Sequence, residues 1–246
     1  MESGNDDGGL DDADKAKTSE SGASTAITKL EQKADELVRW LTDRAISGVP
    51  PLSSASDLAD EYLIHEGYDN NDERVDSLIK WECSKNFAAG FVTGLGGLIT
   101  MPVAVPAALG ASWIIQARMA AAIARIYGHS LDEDKVRTFV LLTLLGGEAA
   151  ELLREVGVKV GSRLTLATIK RIPGKSLSAI NRAVGFRLLS NAGQKGVINL
   201  TKLVPVAGGV VGGAVDLVAC QTVGRIGKKV FRPEDAPAPA NETEDS

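Results

Sequence analysis

An all-α fold is what this sequence predicts, and three observations carry the prediction. Apolar residues recur at helical spacing early in the chain, as Ile27, Leu30, Leu37, Val38 and Leu41 do along Ala26–Gly48. No stretch of period-two alternation bounded by turn residues occurs, so almost no sheet is expected. From Asn86 to Ala117 the chain carries no charged residue, a run of 32 positions between Lys85 and Arg118. About 18 uncharged apolar residues already make a candidate for bilayer contact. Pro102 and Pro106 interrupt the run, and an internal proline removes a helical hydrogen bond and clashes with the preceding turn. The run therefore reads as a helical hairpin whose halves meet near Gly94–Pro102. It is either enclosed in a helical bundle or dips into lipid.

Each further element follows from local signals. Ser24 or Thr25 caps the first helix, Ala26–Gly48, and Gly48-Val49-Pro50-Pro51 stops it. A second helix is expected from Ser56 through DLADEYLIHEG. A third runs from about Asn71 to Phe87 with Val75, Leu78, Ile79 and Trp81 as its apolar residues. Past the uncharged run, helix continues over Arg118–Gly128, with Gly128 as C-cap. Ser130-Leu131-Asp132-Glu133 reads as a capping box that opens a helix through TFVLLTLLGG. Glu148–Val156 and Val160–Ile172 are further helices, the second broken by Pro173-Gly174. Lys175–Ser190 follows, then a turn at Gly193–Gly196, then the last apolar unit, Leu203–Phe231. A faint internal echo at an offset of 103 aligns Pro102-Val103-Ala104 with Pro205-Val206-Ala207, and Arg125 with Lys228. Two proline-started apolar helices, each ending in a base, would form a pseudo-symmetric pair.

Composition sets the rest of the frame. Of 246 residues 44% are hydrophobic but only 4% aromatic, so small aliphatic side chains must do the packing. Cys83 and Cys220 show neither disulfide-framework nor zinc spacing and read as reduced core thiols in a cytosolic setting. The expected organisation is a disordered acidic arm over 1–25, amphipathic helices over 26–80, a helical domain over 81–231, and a disordered Pro/Ala/acidic tail over 232–246. The arm has neither the positive start of a secretory signal nor the arginines of a transit peptide. A cytoplasmic protein, peripheral to or embedded at the inner face of a membrane, is the expectation.

Charge is divided. Trp81–Arg232 holds 19 Lys plus Arg against 8 Asp plus Glu, and the rest of the chain holds 8 against 24. The most basic stretch, Arg154–Lys202, contains a single acid, Glu155. Its apolar residues interleave with Arg163, Lys170, Arg171, Lys175, Arg182 and Arg187, as on a basic face that binds anionic lipid. Nucleic acid is disfavoured, because Phe186 is the one aromatic available there for stacking. The dullest alternative is a solvated face that pairs with the acidic termini.

Glycine marks a second feature. Gly208, Gly209, Gly212 and Gly213 make two overlapping GxxxG registers, and Gly90 with Gly94 a third. Such spacing lets helix backbones approach closely, most often in membranes. Gly94, Pro102, Pro106 and the four later glycines are thus candidates for insertion or helix packing. Gly94-x-Gly96-Gly97 lacks the Gly-Lys-Ser/Thr of a phosphate loop. Asp216 interrupts an apolar helix and is a candidate buried charge, with Arg118 or Arg225 as partner or else facing solvent. His65 and His129 stand alone, and His129 reads as facing a helix C-terminus. Glu148 and Glu151 read as a salt-bridged surface. No cofactor, metal site, nucleophile or acid–base pair is expected, and the protein reads as non-enzymatic.

The stretch from about Trp81 to Phe231 resembles the EcsC family of bacterial proteins. The segments that carry the likeness are GFVTGLGGLITMPVAVPAALGASWIIQARMAAAIARIYGHSLDEDKVR and KLVPVAGGVVGGAVDLVACQTVGRIGKKVF. They share a Gly-rich apolar entry, a long helix closed by a Tyr-Gly pair (Tyr127-Gly128), an acidic capping turn and a late Pro-Val-x-Gly-Gly helix. The stretch is also similar to a helical domain that accompanies some bacterial GTPases. The resemblance implies an all-helical, membrane-associated domain and carries no catalytic residue. The functional expectation is a non-enzymatic protein that binds anionic lipid through its basic face and buries or inserts the broken hairpin. A membrane-permeabilising effector and a soluble helical adaptor are the alternatives, and a protein partner or a second copy remains open.

Overall fold

Eight α-helices and one 3-10 turn make up the described residues, 9–87, 107–158, 171–200 and 207–233 of the computed structural model. The helices are α1 (Gly9–Ser47), α2 (Ala55–Leu63), α3 (Asn71–Phe87), α4 (Ala107–Ile126), α5 (Asp134–Thr143), α6 (Ala149–Glu155), α7 (Gly174–Leu200) and α8 (Ala207–Phe231). The 3-10 turn, Gly146–Glu148, joins α5 to α6. There is no strand among the described residues, as the lack of period-two alternation predicts.

Helix α4 is the axis. Every residue from 110 to 124 is buried, and α1, α2, α3, α5 and α8 all pack on it. Its Ala-rich face lets neighbours come close, and Ile114, Ile115, Met119 and Ile123 fill the space between them. Gly128 ends the helix in the left-handed region at φ 86°, and the His129 N–H bonds back to the Ala124 carbonyl at 3.0 Å.

Contacts with α3 and α8 fix the relative directions of the three helices. Glu82 of α3 meets Arg118 of α4, and Asn71 of α3 donates to the Ile126 carbonyl at 2.9 Å, so the two helices are antiparallel. Cys83 with Cys220 and Asp76 with Lys228 make α3 antiparallel to α8 as well. Helices α4 and α8 therefore lie parallel. Ser112 of α4 donates to Asp216 of α8, 104 positions later, and a Cβ on Gly227 would stand 3.4 Å from Ile123. That spacing of 104 lies one residue from the offset of 103 in the sequence echo. The bases at the two helix ends also behave alike: Arg125 bonds Asp60 of α2, and Lys228 bonds Asp76 of α3. The two proline starts lie outside the described residues.

Several expectations are corrected. Helix α1 is drawn from Gly9, within the acidic arm expected over 1–25. The capping box is at Ser54, not Ser130. Asp57 N–H donates to Ser54 Oγ at 3.0 Å while Asp57 Oδ2 accepts from the Ser54 N–H. Ser130 Oγ instead accepts from the Asp132 N–H, and α5 begins at Asp134, beyond its reach. No turn forms at Gly193–Gly196; α7 runs through it to Leu200, since glycine weakens a helix without stopping it.

The cysteines are also corrected. Cys83 and Cys220 are fully buried, as expected, but they form a disulfide with Cα atoms 5.6 Å apart. Antiparallel packing of α3 on α8 creates this contact across 137 residues, a distance that sequence spacing hides. Reduced thiols no longer argue for a cytosolic setting.

Candidate functional site

The site is one end of the α3–α4–α8 trio. Because α3 runs against α4 and α8, its last residue, Phe87, and the first residues of the others, Ala107 and Ala207, lie at the same end. Charge is absent from the first half of α4 up to Arg118 and from α8 before Asp216. The uncharged chain between Phe87 and Ala107 begins and ends there.

The first charges met inside the trio are held by polar partners. Arg118 is 4% exposed, and its guanidinium donates to Glu82 at 2.6 Å and to the Ser53 carbonyl at 3.2 Å. A buried arginine is tolerable only when paired in this way. Asp216 does not pair with Arg118 or Arg225. It is half-buried and accepts from the Ser112 hydroxyl at 2.7 Å, which in turn accepts from Gln116 at 2.9 Å. Arg118 points at α3 rather than at α8, which is why the pairing fails.

The opposite end is polar and heavily bonded. The Tyr127 hydroxyl donates to Asp72 at 2.6 Å, and Arg232 reaches the same carboxylate at 2.7 Å. Burial first, and then Asp72, hold the Tyr127 phenol above its ordinary value. His129 meets the Phe231 carbonyl at 2.7 Å, so it does face a helix C-terminus, that of α8. The Tyr-Gly pair of the sequence is thus the clasp of the polar end.

The basic stretch is divided by the fold. Arg182 lies between Glu31 and Asp35 of α1, at 3.6 and 3.4 Å. Arg187 binds Glu148 and Glu155, at 3.3 and 2.7 Å, and these carboxylates raise its pKa, Glu155 most. Both arginines therefore have carboxylate partners within the chain, so the six basic candidates are not one open face. Arg171 and Lys175 are exposed and have no carboxylate partner among the described residues. Arg163 and Lys170 lie outside the described residues, as do Gly94, Pro102 and Pro106. Gly208, Gly209, Gly212 and Gly213 belong to α8, but their surroundings lie outside the described residues.

The close helix contacts that are described use other glycines, which sequence reasoning missed. A Cβ on Gly185 of α7 would stand 2.5 Å from the Ala34 carbonyl oxygen of α1, and one on Gly224 of α8 would stand 2.8 Å from Ile79. Neither residue belongs to a repeated small-residue motif, so only the packing reveals them. Glu82 was missed for a similar reason: one acid in an otherwise ordinary amphipathic helix gives no sign of its partner 36 residues away.

Among the described residues no group of three or more His, Cys, Asp or Glu side chains is placed to hold a metal. No helix among them is long and apolar enough to cross a membrane. The fold and this axial division of charge define an all-α bundle with one charge-poor end, where Lys85 in the last turn of α3 is the base beside Phe87. The chain belongs to the EcsC protein family, whose model matches residues 13–233. That match begins well before Trp81, so α1, α2 and α3 are part of the family domain, in keeping with their share of the common core. No curated relative and no solved structure matches the chain.

Proposed function

We propose that this protein associates with membranes through the charge-poor end of its bundle. The observation that supports the reading is axial. Phe87, Ala107 and Ala207 share one end, and the apolar segments attached to them, 88–106 and 201–206, contain a single charged residue, Lys202. Lipid offers such segments an apolar surface, while ion pairs close the other end. The association is interfacial, since α4, which holds the second half of the uncharged run, is enclosed as the core. Anionic headgroups are drawn to Arg171 and Lys175, and to Arg163 and Lys170 beside them in sequence; each base near an anionic leaflet contributes about 1 kcal/mol. Chemistry on a substrate has no support.

Co-flotation of the full chain with vesicles tests this. Binding to vesicles rich in anionic lipid, weakening as salt rises, is the expected result. Absence of the protein from the floated fraction at low salt overturns it. A helical adaptor is the second reading, supported by the enclosure of α4, and it predicts that same absence together with a sharp detergent-free monomer.

A further inference from the structure

We propose that the cleft between α2 and α3 binds a small organic cation bearing a quaternary or methylated ammonium group. The cleft encloses about 270 Å³ and is lined by Glu61, Tyr62, His65, Tyr68 and Trp81. In a chain with only three tyrosines, three tryptophans and two histidines, four of these eight rings meet at one place. Such a concentration in an aromatic-poor protein is the first argument for a binding role.

The rings are held in position. Tyr62 and Tyr68 stack with centroids 6.1 Å apart, and His65 tilts against Tyr68 at 5.1 Å. The Tyr68 hydroxyl is tied to Ser77 Oγ at 2.7 Å, and His65 Nδ1 accepts from the Gly67 N–H at 3.1 Å. Trp81 comes from α3 and is 57% exposed, a poor place for an indole unless something covers it.

The charge of the surroundings selects the ligand. Residues 55–73 contain seven carboxylates and neither Lys nor Arg; Asp60 and Asp72 pair with Arg125 and Arg232, and the other five have no basic partner among the described residues. Glu61 lines the cleft itself and has no cationic partner among the described residues. Arg74, the first base after this segment, is already bonded to the Tyr62 carbonyl and to Asn71, and the exposed Lys80 precedes Trp81. The Tyr62 phenol is pushed up to about 12, by burial first and then by Glu82, Tyr68 and Glu61. An anion is therefore repelled, and a neutral apolar ligand leaves Glu61 unanswered. A compact cation such as sodium keeps its water. A methylated ammonium is weakly hydrated, and the faces of Trp and Tyr attract it. The volume lies just below the roughly 300–1,000 Å³ of sites for drug-sized ligands, which suits a headgroup rather than a large molecule.

The inference does not depend on membrane association, and its test is separate. Choline and tetramethylammonium are titrated against the full chain in which Trp40 and Trp113 are replaced by Phe, at constant ionic strength, with Trp81 emission as the readout and calorimetry on the unaltered chain beside it. Sodium and the uncharged isostere 3,3-dimethylbutanol serve as controls. Saturable binding of the two cations, absent with both controls, is expected. Trp81→Ala should weaken it about tenfold, as loss of a principal cation–π partner requires, and Glu61→Gln should weaken it severalfold. Calorimetry replaces emission for Trp81→Ala, and retained helicity checks its fold. Flotation with phosphatidylcholine vesicles is the second arm. Binding of the free cations assigns a soluble ligand, and Trp81-dependent flotation without free binding assigns a lipid headgroup; either supports the proposal. Equal binding of the uncharged isostere, undiminished binding by Trp81→Ala, or neither binding nor Trp81-dependent flotation overturns it.

Discussion

The two ends of the α3–α4–α8 trio are built on opposite principles. At one end Asp60, Asp72 and Asp76 take up Arg125, Arg232 and Lys228, and Tyr127 and His129 add further bonds. At the other the chain is uncharged through the first half of α4 and the first nine residues of α8, and helix ends meet apolar sequence. Between them lie the Cys83–Cys220 bond and the Glu82–Arg118 pair, both enclosed. The contrast teaches that an apolar stretch has no single destination. The same uncharged run supplies the enclosed core of α4 and, before it in sequence, residues 88–106, which lie outside the described residues.

If the enclosed middle carries the stability, breaking it should cost most. Cys220→Ala opens a loop of 137 residues and should cost about 5 kcal/mol, the entropic expectation for so long a loop. Urea denaturation of the oxidised protein beside the variant measures it. Glu82→Ala leaves Arg118 buried without its carboxylate and should cost about 3–4 kcal/mol in the same experiment. Gly185→Ala pushes a methyl against the α1 backbone and should cost about 1–3 kcal/mol, read as a fall in Tm. The polar end should be the most forgiving. Its Arg125–Asp60 pair is nearly half exposed, so Arg125→Ala should cost no more than about 1 kcal/mol, shrinking with salt, and should leave vesicle binding unchanged. A larger loss there, or lost flotation, would erase the distinction between the ends.

How much of this was readable in the chain depends on range. The limits of α3, the stop at Gly48 and the C-cap at Gly128 are local events, and periodic Val75, Leu78 and Ile79 or a glycine at positive φ reveal them. Capping is less legible, because Ser54 and Ser130 are each followed three residues later by an acid, and only the helix start decides between them. The long-range pairs were out of reach. Nothing near Cys83 points to Cys220, nothing near Arg182 points to α1, and Arg187 looks as available as Arg171 until Glu148 and Glu155 are seen beside it. The uncharged run was legible as a feature with two possible fates, and burial of α4 assigns its second half to the core. The basic stretch was legible as composition, yet the fold gives two of its six named residues to internal pairs.

Hydrogen exchange of the full chain, measured with and without anionic vesicles, tests the central claim most directly. The account predicts that vesicles slow exchange in peptides covering 88–106 and 201–213, while peptides covering 125–137 and 228–233 exchange as before. Slowing confined to the charged end, or no change at either end when the protein is vesicle-bound, would contradict it.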